Sequence, residues 1–209
     1  MLRMLVMISF LVSTQAFALG YVQSTVETAN GEEAILFEVY LDRKAQPQVC
    51  RLVAEGEPVC ETFPFPIGWA AFVLITEGWG EAYVGPTVAP TEWLELTAFA
   101  GVQQGDKGLE ARYAASVFLQ QQPFALLASV EFDHHGTEGV WYDCIATGSW
   151  DELITVGIQA RRYVGIGPRI EVSGSDGAIK FWGSWTPIDP EQQQVLDGAR
   201  GMIGLMLIN

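Results

Sequence analysis

The chain has 209 residues, and its 11 Lys and Arg residues against 25 Asp and Glu residues give a formal net charge of −14. Hydrophobic residues make up 49% of the chain and charged residues only 17%, whereas roughly a quarter of an ordinary soluble domain is charged. So apolar a chain is not intrinsically disordered, and its acidic balance argues against nucleic-acid binding, which needs basic surface. The length fits one domain.

The first residues are predicted to form a cleaved signal peptide. Arg3 provides a positive start, residues 4–12 are apolar, and residues 16–18 read Ala-Phe-Ala, a cleavage signal. The apolar run is too short for a bilayer-spanning helix, which takes roughly 20 residues. We therefore expect residues 1–18 to be removed and residues 19–209 to form one exported domain.

The cysteines suggest a disulfide. Cys50 and Cys60 flank a turn-forming segment, and in a hairpin centred on Glu55 they would face each other. Because an exported protein meets an oxidising compartment, the sequence predicts a Cys50–Cys60 disulfide. Metal binding is the weaker interpretation, since there is no C-x-x-C motif and no histidine nearby. Cys144 is left over and is interpreted as a small buried apolar residue.

The middle of the chain alternates with the period of a β-strand. Between residues 70 and 186, one face of each clear run is apolar and the other face is polar. Each run is roughly ten residues long, the length of a tilted strand that crosses a bilayer core. The clearest runs are residues 92–102, 110–120, 124–133 and 163–172.

The connections between these runs suit an up-and-down barrel in an outer membrane. Short turns alternate with longer polar loops, which are expected at residues 103–109 and 134–139. Aromatic residues lie beside the connections, as in the two girdles at the membrane interfaces. The residues predicted for these girdles are Trp93, Trp150, Tyr113, Trp141 and Tyr142.

Alternation alone leaves open which face is inside. A soluble barrel turns its apolar face inward, and a membrane barrel turns it outward. Here the apolar faces are nearly free of charge, whereas the polar faces carry sparse charges of both signs that can pair inside a narrow barrel. This contrast favours a membrane barrel. The predicted interior charges are Glu95, Arg112, Glu131, Arg169 and Glu171.

In runs such as AYVGPTVAPTEWLELTAFAGV and ITVGIQARRYVGIGPRIEV, a strand, a short turn and a strand follow one another. In these runs the sequence resembles bacterial outer-membrane β-barrel proteins as a class, over about residues 70–186. The resemblance implies insertion in the outer membrane of a Gram-negative-type envelope, with the lipid bilayer as a partner, and a periplasmic C-terminus. Counted along the chain, the strand candidates predict an all-β antiparallel barrel of roughly 8 to 12 strands.

The C-terminal segment departs from this class, whose members usually end in a strand with a terminal aromatic residue. Asp189 and Pro190 suit the start of a helix, and apolar residues from Val195 to Met206 fall on one helical face. Two interpretations stay open. Either a helix packs on a barrel, or a short helix ends near Gly198 and residues 202–208 form the closing strand.

No known catalytic or nucleotide-binding motif is present, and the sequence predicts no cofactor and no metal. The only histidines, His134 and His135, follow Asp133 in a polar segment. They are weak candidates for a metal or catalytic site, because a third ligand at a fitting distance along the chain is missing. A solvated loop is the favoured interpretation of this segment. Arg161 and Arg162 could contact the phosphates of lipopolysaccharide if they lie on the outer side, but a polar hairpin tip is the favoured interpretation.

Three functions follow from these observations. The leading hypothesis is a small non-catalytic outer-membrane barrel whose outer loops carry a structural, adhesion, receptor or envelope-shielding role. The second is a soluble exported barrel, periplasmic or secreted, that binds an apolar ligand and fills its interior with residues such as Leu94 and Val117. The third is an outer-membrane lipid-modifying enzyme that uses His135 with Asp133 or Glu131.

Overall fold

The computed structural model describes residues 18–29, 32–45, 48–51, 59–105, 108–133, 140–151, 153–189 and 194–208. The elements in this part of the chain are all β-strands. None of the described residues belongs to a helix that is long and apolar enough to cross a membrane. The strands are β1 (Ala18–Ala29), β2 (Glu32–Ala45), β3 (Gln48–Arg51), β4 (Val59–Thr62), β5 (Ile67–Thr76), β6 (Trp79–Thr91), β7 (Leu94–Gly105), β8 (Gly108–Gln121), β9 (Phe124–Asp133), β10 (Trp141–Ser149), β11 (Ile154–Arg161), β12 (Gly165–Ser173), β13 (Ile179–Asp189) and β14 (Gln194–Ile208).

Twelve of these strands form one closed antiparallel barrel. Each strand pairs with its neighbours along the chain, except that β2 pairs with β5 and the first strand pairs with the last. The two remaining strands, β3 and β4, form a separate hairpin in the connection between β2 and β5. The predicted fold class, an all-β antiparallel up-and-down barrel, is confirmed, with a strand number at the upper limit of the prediction.

The barrel has two different ends. Tyr21 near the start of β1 pairs with Ile208 at the end of β14, and we call this end the terminal end. At the opposite end the connections are short: two residues join β1 to β2, β5 to β6 and β7 to β8. The longer loop predicted at residues 103–109 is therefore wrong, because β7 and β8 extend to Gly105 and Gly108. The segment that carries the β3–β4 hairpin lies at the terminal end.

The apolar faces of the strands point outward. Ile35, Ile170 and Ile203 are 66%, 52% and 65% exposed, whereas Thr97 and Arg169 are each 4% exposed and face the lumen. Because successive residues of a strand point to opposite faces, one such assignment fixes the whole strand. This direction contradicts the hypothesis of an apolar interior, in which Leu94 and Val117 would be buried; Val117 is 36% exposed.

The last strand closes the barrel, as one of the two interpretations expected for residues 202–208, and β14 occupies residues for which both interpretations expected a helix. The hydrogen-bonding edges of β14 are both used, one by β13 and one by β1. Met202 is 1% exposed and faces inward, whereas Ile203 and Leu207 face outward. This pairing outweighs the weak helical pattern of the segment, which also contains glycines that disfavour a helix. Asp189, the predicted helix cap, instead ends β13.

The structure describes the backbone of Cys50 and Cys60 in the hairpin, and it describes Cys144 with its side chain. Cys50 of β3 lies directly opposite Cys60 of β4 in the backbone register, but both side chains lie outside the described residues, so the disulfide stays a prediction. Cys144 is a free cysteine of intermediate exposure on β10, paired with Ala128. Its position on the outer face makes the predicted burial in a core wrong. The predicted signal peptide lies outside the described residues apart from Ala18.

Candidate functional site in the barrel lumen

A network of hydrogen bonds and ion pairs crosses the middle of the lumen, and we call it the central network. Its members come from strands on both sides of the barrel seam, between β1 and β14. They carry three acidic and three basic side chains, so that the formal charges balance. The residues of the central network are Gln23, Glu38, Asp143, Gln159, Arg161, Arg169, Glu171, Lys180 and Trp182.

Arg169 is the most highly connected residue of the central network. Its Nε donates to Glu171 Oε1 at 2.7 Å, and its Nη1 donates to Gln159 Oε1 at 3.1 Å. The guanidinium also stacks on the Trp182 ring, with Cζ 3.8 Å from the ring centroid. Lys180 completes this half by pairing with Glu171 at 2.8 Å. A guanidinium with this many partners is held in one position, because its donors have fixed geometry.

The other half of the central network joins the strands on either side of the seam. Trp182 Nε1 donates to Gln23 Oε1 at 3.0 Å, and Gln23 Nε2 donates to Glu38 Oε2 at 2.9 Å. Arg161 lies between two carboxylates, with Nη1 3.9 Å from oxygens of both Glu38 and Asp143. Side chains from β1, β2, β10, β11, β12 and β13 thus meet across the lumen and occupy its middle.

A second cluster, which we call the Tyr83 cluster, lies in the lumen beside β6, β8 and β9 and contains Glu81, Tyr83, Arg112, Glu131 and Asp133. The Tyr83 hydroxyl is 2.7 Å from Glu131 Oε2 and 3.1 Å from Glu81 Oε2. Arg112 contacts Glu131 at 3.4 Å and Asp133 at 3.8 Å. The cluster therefore has three carboxylates and one guanidinium, unlike the balanced central network.

A third, smaller cluster lies near the terminal end of the lumen. Lys44 of β2 is paired with Glu95 of β7 and, at 2.9 Å, with Asp42. The Tyr40 hydroxyl donates to Glu95 Oε1 at 3.4 Å. This cluster connects β2 and β7, which are far apart in the sequence, through side chains alone. Its ion pair is a further contact across the lumen.

Each end of the lumen contains a cavity. The cavity at the opposite end has a volume of about 460 Å³, and the Tyr83 cluster contributes Glu81, Arg112 and Glu131 to its lining. The cavity at the terminal end has a volume of about 640 Å³, and residues 64–66, just beyond the hairpin, line it together with Trp93. The lumen is therefore two water-accessible vestibules separated by paired side chains.

The structure places all five predicted interior charges in the lumen. Arg112, Glu131, Arg169 and Glu171 are each at most 8% exposed, and Glu95 pairs with Lys44. Arg161, interpreted from the sequence as part of a polar hairpin tip, is instead 7% exposed and belongs to the central network. Arg162 follows it in the turn and stacks on the Tyr163 ring, with Cζ 4.7 Å from the centroid.

The predicted interface aromatics divide into two groups. Trp150 is 83% exposed beside a terminal-end connection, and Tyr113 is 46% exposed on the outer face. Trp93, 49% exposed beside another terminal-end connection, also lines the cavity at that end. Tyr142 pairs with the outward residue Val130 and shares its face. Trp141 differs, because it pairs with Glu131, lines the opposite-end cavity and lies under the Arg161 guanidinium. An interface position for Trp141 is therefore wrong.

The histidine candidates cannot be placed, since His134 and His135 lie outside the described residues. Asp133, the third member of that set, ends β9 and contacts Arg112 in the Tyr83 cluster. Among the described residues, no group of three or more His, Cys, Asp or Glu side chains is arranged to hold a metal ion.

Sequence reasoning did not single out several lumen residues because the alternation is less clean where they occur. Tyr83 and Trp182 are aromatic residues on an inward face, and glycines such as Gly101 and Gly204 lie opposite them. The sequence contained one signal that could have found such a residue. Trp141 and Asp143 lie on the same face of their strand, so an Asp143 carboxylate that points into the lumen predicts that the Trp141 ring points into the lumen as well. The residues missed were Gln23, Glu38, Glu81, Tyr83, Asp143, Gln159 and Trp182.

The fold is similar to that of solved outer-membrane proteins. Outer membrane phospholipase A from Escherichia coli matches with a TM-score of 0.54 and 8% identity over 94% of this chain and 93% of its own. The NanC porin matches with a TM-score of 0.51 and 6% identity over 90% of this chain and 99% of its own. Omp33 of Acinetobacter baumannii gives 0.50 and 7%, over 92% and 99%.

These likenesses confirm the predicted class, since the chain has the fold of the outer-membrane β-barrel proteins. No protein-family model matches the sequence, and no curated protein matches it. At identities this low the likeness concerns the fold alone, so the function has to be argued from the lumen and from the outer surface.

Proposed function

We propose that the protein is a non-catalytic β-barrel of the outer membrane whose lumen is closed by its own side chains. The observation that carries the proposal is the separation of charge and apolar surface. Ion pairs cross the lumen between its two cavities, whereas the outward faces of the strands are apolar. A β-sheet satisfies all its backbone groups in lipid only when it closes into a barrel, and the twelve described barrel strands leave no free edge.

The proposed orientation places the terminal end in the periplasm and the opposite end at the cell surface, as is usual for this fold class. Most connections at the opposite end are then short loops facing the outside, and they would carry a structural, adhesion, receptor or shielding role. Arg162 lies in one of these turns, where it could meet the phosphates of lipopolysaccharide. Such short loops favour shielding and structure over adhesion.

Fractionation of the envelope tests the membrane proposal. We would express the full chain in a Gram-negative host and run the outer-membrane fraction on a gel with and without boiling. We expect a band in that fraction whose mobility changes on heating, because a closed barrel resists detergent until it is heated. A detergent-free protein in the periplasm would overturn the proposal.

Conductance in planar bilayers tests the closed lumen. An open aqueous channel is typical of barrels of roughly 16 strands, and here the central network occupies the middle of a barrel of 12 strands. We expect little steady conductance from the native protein. We expect a higher conductance from the double variant Arg161→Ser and Arg169→Ser, because their loss leaves three carboxylates and one lysine in the central network.

The matched control for this experiment is Arg162→Ser, which removes the same chemical group from the turn outside the central network. We expect its conductance to equal that of the native protein. A native protein that conducts as well as the double variant would contradict closure of the lumen.

An outer-membrane lipid-modifying enzyme is the alternative function, and the fold is similar to that of outer membrane phospholipase A. This alternative uses His135 with Asp133 or Glu131, but both of these carboxylates contact Arg112 inside the lumen and not on the lipid-facing surface. We therefore expect envelope lipids to be unchanged when His134 and His135 are both replaced by Ala. An altered lipid profile, with the heat-dependent band retained, would favour the enzyme instead.

A further inference from the structure

One arginine of the central network is loosely held and borders a cavity. We propose that this residue, Arg161, is a movable gate: its guanidinium exchanges between the carboxylates of the central network and an outer carboxylate, Glu27, and the lumen opens briefly when it moves outward. This gate rests on the closed membrane barrel proposed above, and it adds that the closure is reversible.

The two lumen arginines of the central network differ in how firmly they are bound. The Arg169 guanidinium donates hydrogen bonds of 2.7 Å and 3.1 Å and stacks on Trp182. The ion pairs of Arg161, from Nη1 to oxygens of Glu38 and Asp143, are both 3.9 Å long. A charge-assisted hydrogen bond is about 2.7–2.9 Å long. Arg169 is therefore the fixed charge of the network, and Arg161 is the charge that can exchange partners.

A second position for the guanidinium lies nearer the opposite end. Arg161 is the last residue of β11, so its backbone lies at that end and its side chain extends inward to reach Glu38. Glu27 lines the opposite-end cavity, and its charge acts on Arg161. It follows Gln23, the register partner of Glu38, by four residues along β1. With about 3.3 Å per residue and a strand tilt of about 40°, these two positions on β1 are about 10 Å apart along the barrel axis.

The cavity provides space and an aromatic surface for this movement. Arg161 and Glu27 both line it, and its volume is about 460 Å³. The Trp141 ring lies under the guanidinium, with Cζ 4.9 Å from the ring centroid. Trp141 is two residues closer to the opposite end than Asp143 on the same face of β10. Cation–π attraction therefore continues along part of the path toward the outer position.

The inner carboxylates keep hydrogen-bond donors when the guanidinium leaves. Gln23 Nε2 donates to Glu38 Oε2 at 2.9 Å, and Gln159 Nε2 donates to Asp143 Oδ1 at 3.4 Å. The fixed charge of Arg169 also acts on both carboxylates. Because a buried carboxylate is costly only when it is left without partners, the outward position of Arg161 is accessible.

Outward movement changes the boundary between the two cavities. Arg161 belongs to the central network and also lines the opposite-end cavity, so it forms part of that boundary. Without it, the central network holds three carboxylates and two cationic side chains. We therefore expect the brief open state to conduct cations in preference to anions.

Single-channel recording of the full chain in planar bilayers tests the gate. We expect a closed baseline with brief openings whose frequency depends on voltage, because the guanidinium carries its charge along the barrel axis. A movement of about 5 Å crosses about a fifth of the roughly 25 Å apolar band, so the open fraction should change about twofold for each 100 mV. Arg161→Gln should conduct steadily without this dependence, and Arg162→Gln, the control in the turn, should behave like the native protein.

Two variants at the proposed positions should act in opposite directions. Glu38→Gln weakens the inner position and should raise the open fraction, whereas Glu27→Gln weakens the outer position and should lower it, each by on the order of fivefold. Glutamine at position 38 still offers an acceptor to Gln23, so the fold is retained. The matched control is Glu77→Gln, which removes the same charge from an exposed turn residue at the opposite end and should change nothing.

Heating on a gel verifies that each variant is folded, and steady conductance of Arg161→Gln verifies insertion. The gate alone is overturned if Arg161→Gln conducts and the native protein never opens, or if neither of the two conducts. It is also overturned if Glu27→Gln and Glu38→Gln shift the open fraction in the same direction or not at all. Steady conductance of the native protein would instead contradict the closed lumen, and the gate with it.

Discussion

Two aromatic rings of the lumen lie over glycines of the next strand. Trp182 faces Gly204, and Tyr83 faces Gly101. A Cβ on Gly204 would lie 2.4 Å from Trp182 Nε1, and a Cβ on Gly101 would lie 2.5 Å from Tyr83 Cδ1. The missing side chains let both rings lie against the backbone and fill space that glycine leaves open. From there the Trp182 N–H reaches Gln23.

This arrangement predicts the effect of a single methyl group. Gly204→Ala should force the Trp182 ring away from Gln23 and Arg169, and should lower the free energy of unfolding by about 1–3 kcal/mol, as overpacking does. Gly183→Ala is the control, because a Cβ there would meet its nearest atom at 3.6 Å, an ordinary contact. Urea unfolding in detergent, followed by Trp fluorescence, measures both; equal stabilities would contradict the account.

At the scale of elements, the backbone pairing of β3 with β4 supports the prediction of a disulfide. Cys50 lies opposite Cys60, and the exported location proposed here favours oxidation. We expect a disulfide that stabilises this loop by about 3 kcal/mol, the value for a short closed loop. Labelling the unfolded, unreduced protein with a maleimide should then modify Cys144 alone, and Cys144→Ser should abolish labelling. Labelling at three positions would contradict the disulfide.

The elements also show what local sequence can and cannot predict. The run at residues 124–133 matches β9 at both ends, because its alternation is clean and turns bound it. The C-terminal segment misled, since a helical face and a good cap fit residues that β1 and β13 hold in a strand. A closing strand at residues 202–208 was one of the two interpretations of this segment. Local sequence could not decide between them, because closure of the barrel is a contact between the two ends of the chain.

At the scale of the whole molecule, period-two alternation predicted the strands but could not by itself decide the direction of their faces. The decisive signal was the kind of charge on the polar face: few groups, of both signs, and spaced to pair. Residues such as Arg112 and Glu131 carried that signal, and they meet in the lumen. The specific partners could not be predicted, because Arg161 and Glu38 are brought together only by closure.

The outward face predicts a dependence on depth in the membrane. Ile170 is 52% exposed near the middle of β12, and Ile154 is 38% exposed at the first residue of β11. Ile170→Arg should destabilise the folded protein in lipid by up to about 2–4 kcal/mol, and Ile154→Arg by less, because Ile154 pairs with Val172, two residues nearer the terminal end, and the penalty falls toward the interface. Unfolding in lipid vesicles measures both; equal losses would contradict a membrane-buried outer face.

The short connections at the end opposite the termini limit how much of the protein is accessible from outside the cell. In the proposed orientation, a bacteriophage, an antibody or an external protease meets mainly hairpin tips of two to four residues and a single seven-residue segment between β9 and β10. The barrel would thus offer antibodies very little accessible surface. Its largest non-barrel segment, residues 46–66, would face the periplasm.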